Sequence, residues 1–333
     1  DERFFDLGGH SLQAARLVAQ IEKVFGKKIS VATLCEVQTI DALAQILRGE
    51  RNAQPGSSIV AIQPAGSRPP LFFVHGVGGG MLWGYTNLSR HLGPEQPVYA
   101  FKSRGLDHLQ EFSRIEEMAA HYVADLRAFQ PRGPYHLGGY CFGGNVAYEM
   151  ARQLHAQGQC VALLALFNCM PPNSGYYQAR WSLRLVARFL VNTTNWLVAF
   201  SRWKPEQRRD FFRRKFRATR KRIRRWFGPS TDAAPGSEAE GWLDLSSYAE
   251  YERKLWDIHI RNLRDYVPKP YSGHVTLFRT KVHPFFCSFD FAFGWRELAG
   301  EGVTVKIVPG AHETILEEPH VRVVARELMA RLE

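Results

Sequence analysis

The sequence predicts an α/β fold built on a mostly parallel sheet, with a small all-helical unit in front of it. Three observations carry this expectation. Short apolar runs near 70–74, 98–101, 160–167, 274–278 and 303–308 alternate with stretches of helical periodicity, as strands joined by crossover helices do. The run from Cys160 to Phe167 is apolar throughout, the mark of a strand buried on both faces. Between these runs stands Gly138-Gly139-Tyr140-Cys141-Phe142-Gly143-Gly144, preceded by the short apolar Pro134 to Leu137 and followed by Val146, Ala147, Met150, Ala151 and Leu154 at helical spacing.

The elements follow in order. Residues 1–49 read as helical: Leu12, Ala15, Val18 and Ile21 recur behind Ser11, which is placed to cap that helix. Residues 50–58 are a polar linker containing Pro55 and Gly56. From 59 to 333 the strand–helix alternation runs on. An early strand ends in His75-Gly76-Val77-Gly78-Gly79-Gly80, a helix spans about Ile115 to Phe129, and the last helix spans Val321 to Leu332. Residues of about 171–268 interrupt the order with some hundred mostly helical positions. A strand-to-helix turn of the form G-x-C-x-G inside such an order implies the α/β-hydrolase architecture, with the interruption as a large helical lid insertion.

The turn is also where chemistry is expected. Gly139 and Gly143 flank Cys141 by two on each side, and so sharp a turn leaves no room for a Cβ at either place. Cys141 then stands above the sheet at a helix N-terminus, where N–H groups and the dipole favour a thiolate. A buried cysteine in a glycine-rich turn is the plainer alternative. In this architecture the histidine comes last in the chain, and His312, in Val308-Pro309-Gly310-Ala311-His312, lies between a strand and the last helix. One oxyanion donor is expected at the Phe142 N–H, and a second at Val77 or Gly78. His75, its H-G pair following an early strand, suits a loop that shapes that hole. No metal ligands are expected.

Composition sets limits. The chain has 333 residues and a formal net charge of +11. Between Arg202 and Arg225 there are 13 Lys plus Arg against Glu206 and Asp210, so this one segment carries the whole imbalance. With Phe211, Phe212, Phe216 and Ile223 interleaved, it reads as an amphipathic helix: a solvated lid face, or a docking surface for phosphate or an acidic partner. No nucleic-acid motif accompanies it, and no apolar run approaches 18 residues, so neither nucleic-acid binding nor stable membrane insertion is expected. The five cysteines (Cys35, Cys141, Cys160, Cys169, Cys287) include no C-x-x-C pair, which argues for a reducing, cytoplasmic setting rather than a disulfide framework or zinc site.

The opening Asp1-Glu2-Arg3-Phe4-Phe5-Asp6-Leu7-Gly8-Gly9-His10-Ser11-Leu12 resembles the phosphopantetheine attachment motif of carrier domains in nonribosomal peptide and polyketide synthetases. V-P-G-x-H around His312 resembles the stretch found in thioesterase domains that release products from such synthetases. Together with G-x-C-x-G, which carries cysteine where such elbows usually carry serine, the chain is similar to the C-terminal carrier–thioesterase pair of a nonribosomal or hybrid peptide–polyketide synthetase. The resemblance implies a covalent 4'-phosphopantetheine on Ser11, installed by a phosphopantetheinyl transferase. It also implies upstream synthetase domains on a longer chain, and an acyl or peptidyl thioester that moves from Ser11 to Cys141. Release would then be hydrolysis, cyclisation or aminolysis. The family's orienting aspartate falls at Asn168, in Leu166-Phe167-Asn168-Cys169-Met170-Pro171-Pro172. Either Asn168 orients His312, in a Cys-His-Asn set, or the acid has moved to Asp290, where hydrolases of this fold commonly carry it.

An enzyme-bound thioester stays activated where a serine ester would not, so the cysteine suits aminolysis or ring closure better than plain hydrolysis. Two other functions compete: a carrier and interaction module with an inactive hydrolase domain, which only Asn168 favours, and an acyltransferase to a separate acceptor. The lid aromatics Trp181, Phe189, Trp196, Phe200 and Trp203 either line an acyl channel or pack the lid onto the sheet.

Overall fold

Among the described residues, seven strands pair into one sheet in the order β1-β3-β2-β4-β5-β6-β7: β1 (Ile59–Gln63), β2 (Leu71–Val74), β3 (Val98–Phe101), β4 (Tyr135–Tyr140), β5 (Val161–Phe167), β6 (Val275–Arg279) and β7 (Val303–Ile307). Only β1 runs antiparallel, against β3; every other pairing is parallel. The computed structural model describes residues 11–27, 29, 34, 37, 39–49, 57–79, 82–107, 109–174, 183–201, 209, 250–282 and 289–332. The Asp1–His10 part of the opening motif, most of the linker, Trp181, Trp203 and the basic run apart from Arg209 lie outside the described residues.

The parallel arrangement follows from what covers the sheet. Neighbouring residues of β2 enter different cores: Phe72 and Val74 join one, Leu71 and Phe73 the other. The first is closed by α4 (Ile115–Phe129), through Met118 and Tyr122, and by α5 (Phe142–Ala156), through Val146 and Met150. The second is closed by α3 (Leu82–Leu92), through Tyr85 and Leu88, and by α8 (Val321–Met329), through Val324 and Leu328. Each fully buried Phe or Leu contributes about 1.5–3 kcal/mol by leaving water, and all four residues of β2 are fully buried. This two-sided burial is why the central strands lack the alternation of a half-exposed sheet.

Several bounds differ from the sequence-based expectation. The strand before the elbow extends through Gly138, Gly139 and Tyr140, which pair with Ala165, Leu166 and Phe167. The last helix ends at Met329 rather than Leu332. Strand β1 and helix α3 were not anticipated. At β1 the chain enters the sheet under tight control: the N–H and Oγ of Ser58 both donate to Asp125 Oδ2 on α4, and the Lys102 N–H donates to the Ser58 carbonyl at 2.8 Å.

In the N-terminal unit, α1 (Ser11–Phe25) gives Val18 and Ile21 to a separate small core with Ile29 and Leu34, and α2 (Ile40–Arg48) packs Leu43, Ile46 and Leu47 against it. Thr39 caps α2 by accepting the Ala42 N–H, and Gly49 ends it in the left-handed region at φ 81°. In the lid insertion the described helices are α6 (Leu183–Ser201) and α7 (Glu250–Asp265). Among the described residues, no helix is long and apolar enough to cross a membrane.

Candidate active site

Because β2, β4, β5, β6 and β7 are parallel, the loops leaving their carboxyl ends emerge along one edge of the sheet, where α/β folds bind ligands. The candidate catalytic and oxyanion-hole residues each follow one of these ends in the chain: His75 to Gly79 after β2, Cys141 and Phe142 after β4, Asn168 after β5, Asp290 after β6 and His312 after β7.

Cys141 joins β4 to α5 with φ 51° and ψ −110°, a conformation L-residues rarely adopt and one that this kind of turn imposes. The glycines explain how the strain is held. A Cβ on Gly139 would lie 2.3 Å from the backbone of Gly143, and one on Gly143 would lie 2.3 Å from the Val74 carbonyl oxygen and 2.4 Å from that of His75. The Cys141 N–H donates to the Phe167 carbonyl at 3.0 Å, and the Tyr85 hydroxyl ties the two strand ends, donating to Val74 O at 2.7 Å and accepting the Tyr140 N–H at 2.9 Å. The Cys141 side chain is partly exposed, Cys160 is exposed and Cys169 is buried; burial, and then the nearby Cys141, hold the Cys169 thiol well above the usual range.

His312 opens a short turn, 312–314, and comes to the elbow through Tyr140. Its ring packs on the Tyr140 ring at 4.9 Å, and the Tyr140 hydroxyl donates to the His312 carbonyl at 2.6 Å. Since Tyr140 directly precedes Cys141, these contacts bring His312 to the strand end that carries the elbow.

The two candidates for the orienting group are engaged differently. Asn168 is buried, with φ 44°, and both ends of its amide face Thr280: Oδ1 accepts the Thr280 N–H at 2.9 Å, and Nδ2 reaches Thr280 Oγ1 at 3.4 Å. Asp290 uses one oxygen, Oδ2, to cap its own turn, accepting the N–H groups of Ala292 and Gly294 at 3.0 and 2.8 Å. Its Oδ1 takes no part in that turn.

At the other side of the elbow, Phe142 is the first helical residue, so its N–H has no intrahelical acceptor. The Gly78 N–H, one of two expected second donors, donates instead to His259 Nδ1 at 3.0 Å. This corrects the expectation for Gly78 and leaves Val77, whose N–H has no hydrogen-bond acceptor among the described residues. His75 lies beneath this loop, fully buried, its Nδ1 2.7 Å from Gly76 O and its Nε2 2.9 Å from the Tyr122 hydroxyl. Burial, reinforced by neighbouring His259, pushes the His75 pKa down to about 4.

Two residues of this region escaped sequence reasoning. His259, on α7, is fully buried and stacks on His75 at 5.1 Å and on Phe142 at 4.6 Å. Glu111 lies beside it, accepting from Ser103 Oγ and from the N–H groups of Gly105 and Phe112. Burial alone would raise this carboxyl, but His259 and the Ser103 hydroxyl bring it down to about 2. A signal existed for His259: it interrupts an apolar row of Leu255 and Leu263 at four-residue spacing.

Comparison with known proteins fits this geometry. Residues 69–332 match the thioesterase domain family, and residues 1–47 match the phosphopantetheine attachment site. A dimodular nonribosomal peptide synthase of Bacillus subtilis is 39% identical over 172 residues, covering 51% of this chain and 7% of that protein. Chondramide synthase of Chondromyces crocatus is 28% identical over 360 residues, covering 99% of this chain and 8% of its own length. Among solved structures, a four-domain nonribosomal peptide synthetase bound to AMP and glycine has a TM-score of 0.57 at 28% identity, over 98% of this chain and 24% of that one. The NocB thioesterase domain, in covalent complex with a fluorophosphonate nocardicin G analogue, shares the fold with a TM-score of 0.56 at 24% identity, over 83% of this chain and all of that one. The chain thus spans under a tenth of the Bacillus and Chondromyces synthetases, and it belongs to the thioesterase domain family, carried behind an attachment site for covalent 4'-phosphopantetheine.

Proposed function

We propose that the chain performs the release step of a nonribosomal peptide synthetase, with the carrier at 1–49, the releasing domain at 59–333 and Cys141 as nucleophile. The observation that carries this reading is the backbone of Cys141. A partly exposed thiol is held at φ 51° and ψ −110° by two glycines that admit no side chain, at the carboxyl edge of a parallel sheet. A merely structural cysteine gains nothing from that strain.

Ser11 is the attachment residue in this reading. It is the first residue of α1, and the unpaired N–H groups of a helix's first turn favour a phosphodiester there, so the position fits the group. The arm supplies a reach for the acyl chain, which it presents as a thioester. Upstream synthetase domains deliver that chain, a phosphopantetheinyl transferase installs the arm, and the free thiol of Cys141 calls for a reducing compartment.

His312 takes the proton from Cys141 Sγ as the sulfur attacks the thioester carbonyl, and returns it to the departing thiol. The oxyanion that forms between these steps faces the N–H groups of Phe142 and Val77. Water, or an amine or hydroxyl of the acyl chain itself, then attacks the Cys141 thioester; His312 takes a proton from that nucleophile and returns it to Cys141 Sγ as the carbon–sulfur bond breaks. For orienting His312 the structure favours Asp290 over Asn168: the carboxylate keeps one oxygen outside the turn it caps, whereas the amide is occupied by Thr280 at both ends.

The test is intact-mass spectrometry on protein whose Ser11 has been loaded with an acyl-pantetheine. Cys141→Ala is expected to keep the acyl group on Ser11 without release, and the parent to transfer and release it. Release by Cys141→Ala at the parent's rate refutes the assignment. In Cys141→Ser, ring closure or aminolysis is expected to fall more than hydrolysis; an unchanged product ratio removes the argument from thioester activation.

A further inference from the structure

We propose that His259 is a positioning residue for the oxyanion hole, through which the last helix of the lid sets the loop 76–79. The inference rests on the reading of Cys141 as nucleophile, and it concerns a residue that lies outside the elbow and makes no contact with the reacting atoms.

His259 touches both halves of the hole. Its ring stacks on Phe142, whose N–H is one donor, at 4.6 Å and 16° between planes. Its Nδ1 accepts the N–H of Gly78 at 3.0 Å, the residue that follows the second donor. Accepting at Nδ1 places the ring proton on Nε2, which lies 3.4 Å from Glu111 Oε2, a charge–dipole contact rather than an aligned hydrogen bond. Glu111 is itself fixed by Ser103, Gly105 and Phe112, so the ring is held from behind as well as by the rings of Phe142 and His75.

The loop needs such an outside hold. Gly78 and Gly79 both lie in the left-handed region, at φ 72° and 75°, and glycine adopts such angles without being confined to them. Their conformation is imposed by what packs on them. A Cβ at Gly78 would lie 2.1 Å from Trp256 Nε1, three residues before His259 on the same helix, and one at Gly79 would lie 2.8 Å from the Leu106 side chain. One turn further along α7, Asn262 Nδ2 donates to Phe112 O at 2.8 Å, fastening the helix to the segment that fixes Glu111. The imidazole thus fixes the 77–78 peptide, and the Gly79 N–H, donating to the Gly76 carbonyl at 3.1 Å, closes the turn across Val77; together they restrain the 76–77 peptide that carries the Val77 N–H.

The test uses the full chain with a soluble acyl thioester, a trifluoromethyl ketone of the same acyl group as tetrahedral mimic, and the corresponding amide as ground-state mimic. His259→Phe keeps the stacking but removes the acceptor. It is expected to lower kcat on the order of ten- to a hundredfold, the scale of a misaligned donor, with KM within about threefold. Affinity for the ketone is expected to fall by the same factor while affinity for the amide holds. His259→Asn, whose Oδ1 can replace Nδ1, is expected to restore most of kcat. Parent-like kcat in His259→Phe, or ketone and amide affinities that fall together, overturns the proposal, as does a folded His259→Asn no better than His259→Phe. Should His259→Phe fail to fold, Glu111→Gln takes its place: a kcat loss of about tenfold at constant KM is expected, and an unchanged kcat refutes the role. Acylation of Cys141, read by mass in the same samples, separates the two failures. An unacylated Cys141 in the parent sinks the functional reading, whereas normal acylation with normal kcat in His259→Phe sinks only this inference.

Discussion

The elbow at 139–143 and the loop at 76–79 are both glycine turns at the same edge of the sheet, yet they are held in opposite ways. The elbow is self-contained: its two glycines press on each other and on the end of β2, and every atom in the clash comes from the motif or from the neighbouring strand. The loop owes its shape to strangers. Its partner His259 is 181 positions away along the chain, on a lid helix, and Trp256 of the same helix covers its first left-handed glycine. A strained turn is thus built into the sheet, whereas the loop beside it depends on an element that is not part of the sheet at all.

The strongest way to break this contrast is at the elbow. Gly143→Ala puts a Cβ against two backbone carbonyls that cannot retreat, and a loss of more than about 4 kcal/mol in urea unfolding is expected. Gly158→Ala, at φ 71° but with open space around it, is expected to lose only about 1–2 kcal/mol. Equal losses in the two variants contradict the account of the elbow.

Beneath the loop, acid is the probe. The folded pKa of His75 is depressed, to about 4 from 6.5, so its contribution is intact above pH 6.5 and lost as pH falls to 4. The drop is expected to be on the order of 3 kcal/mol, and His75→Gln should flatten it. Glu111, also depressed, acts in the next window: its contribution is present above its ordinary value of 4.5 and lost as pH falls towards 2. A urea midpoint that does not move between pH 6.5 and 4 in the parent excludes a buried, neutral His75.

Two smaller effects sharpen the picture around His312. Asp290→Ala is expected to lower turnover on the order of a hundredfold. Asn168→Ala should lower stability by about 1–3 kcal/mol, by leaving the Thr280 N–H without its acceptor, and turnover far less. The reverse pattern in thioester turnover and thermal melts returns the orienting role to Asn168. Tyr140→Phe removes the donor to the His312 carbonyl, and a fall in turnover of about fivefold is expected, equivalent to one hydrogen bond of about 1 kcal/mol. No change would mean that this hydrogen bond does not hold His312.

How much of this was legible follows from the same contrast. The elbow, the strands beside it and the helix Ile115–Phe129 were readable because local sequence dictates them: glycines at fixed offsets, apolar runs, a 3.6-residue period. Strand β1 was not, because an edge strand of five residues that buries only Val60 and Ile62 leaves a faint signal. Helix α3 was obscured by Gly84, Thr86 and Asn87, all weak helix formers. The choice between Asn168 and Asp290 could not be made from spacing, since both follow strand ends and only hydrogen-bond partners distinguish them. His259 and Glu111 matter through each other and through Gly78, and no local pattern records a contact between distant segments.

The clamp at Ser58 has a mechanical consequence. Tension on the chain just before β1 meets this clamp first. It enters the sheet at its antiparallel edge, where it divides between the ladder to β3 and, through Asp125, the long helix α4. Two strands, β3 and β2, stand between that edge and β4. Force applied there is therefore met by the edge ladder and by α4 before it reaches the strained backbone of Cys141.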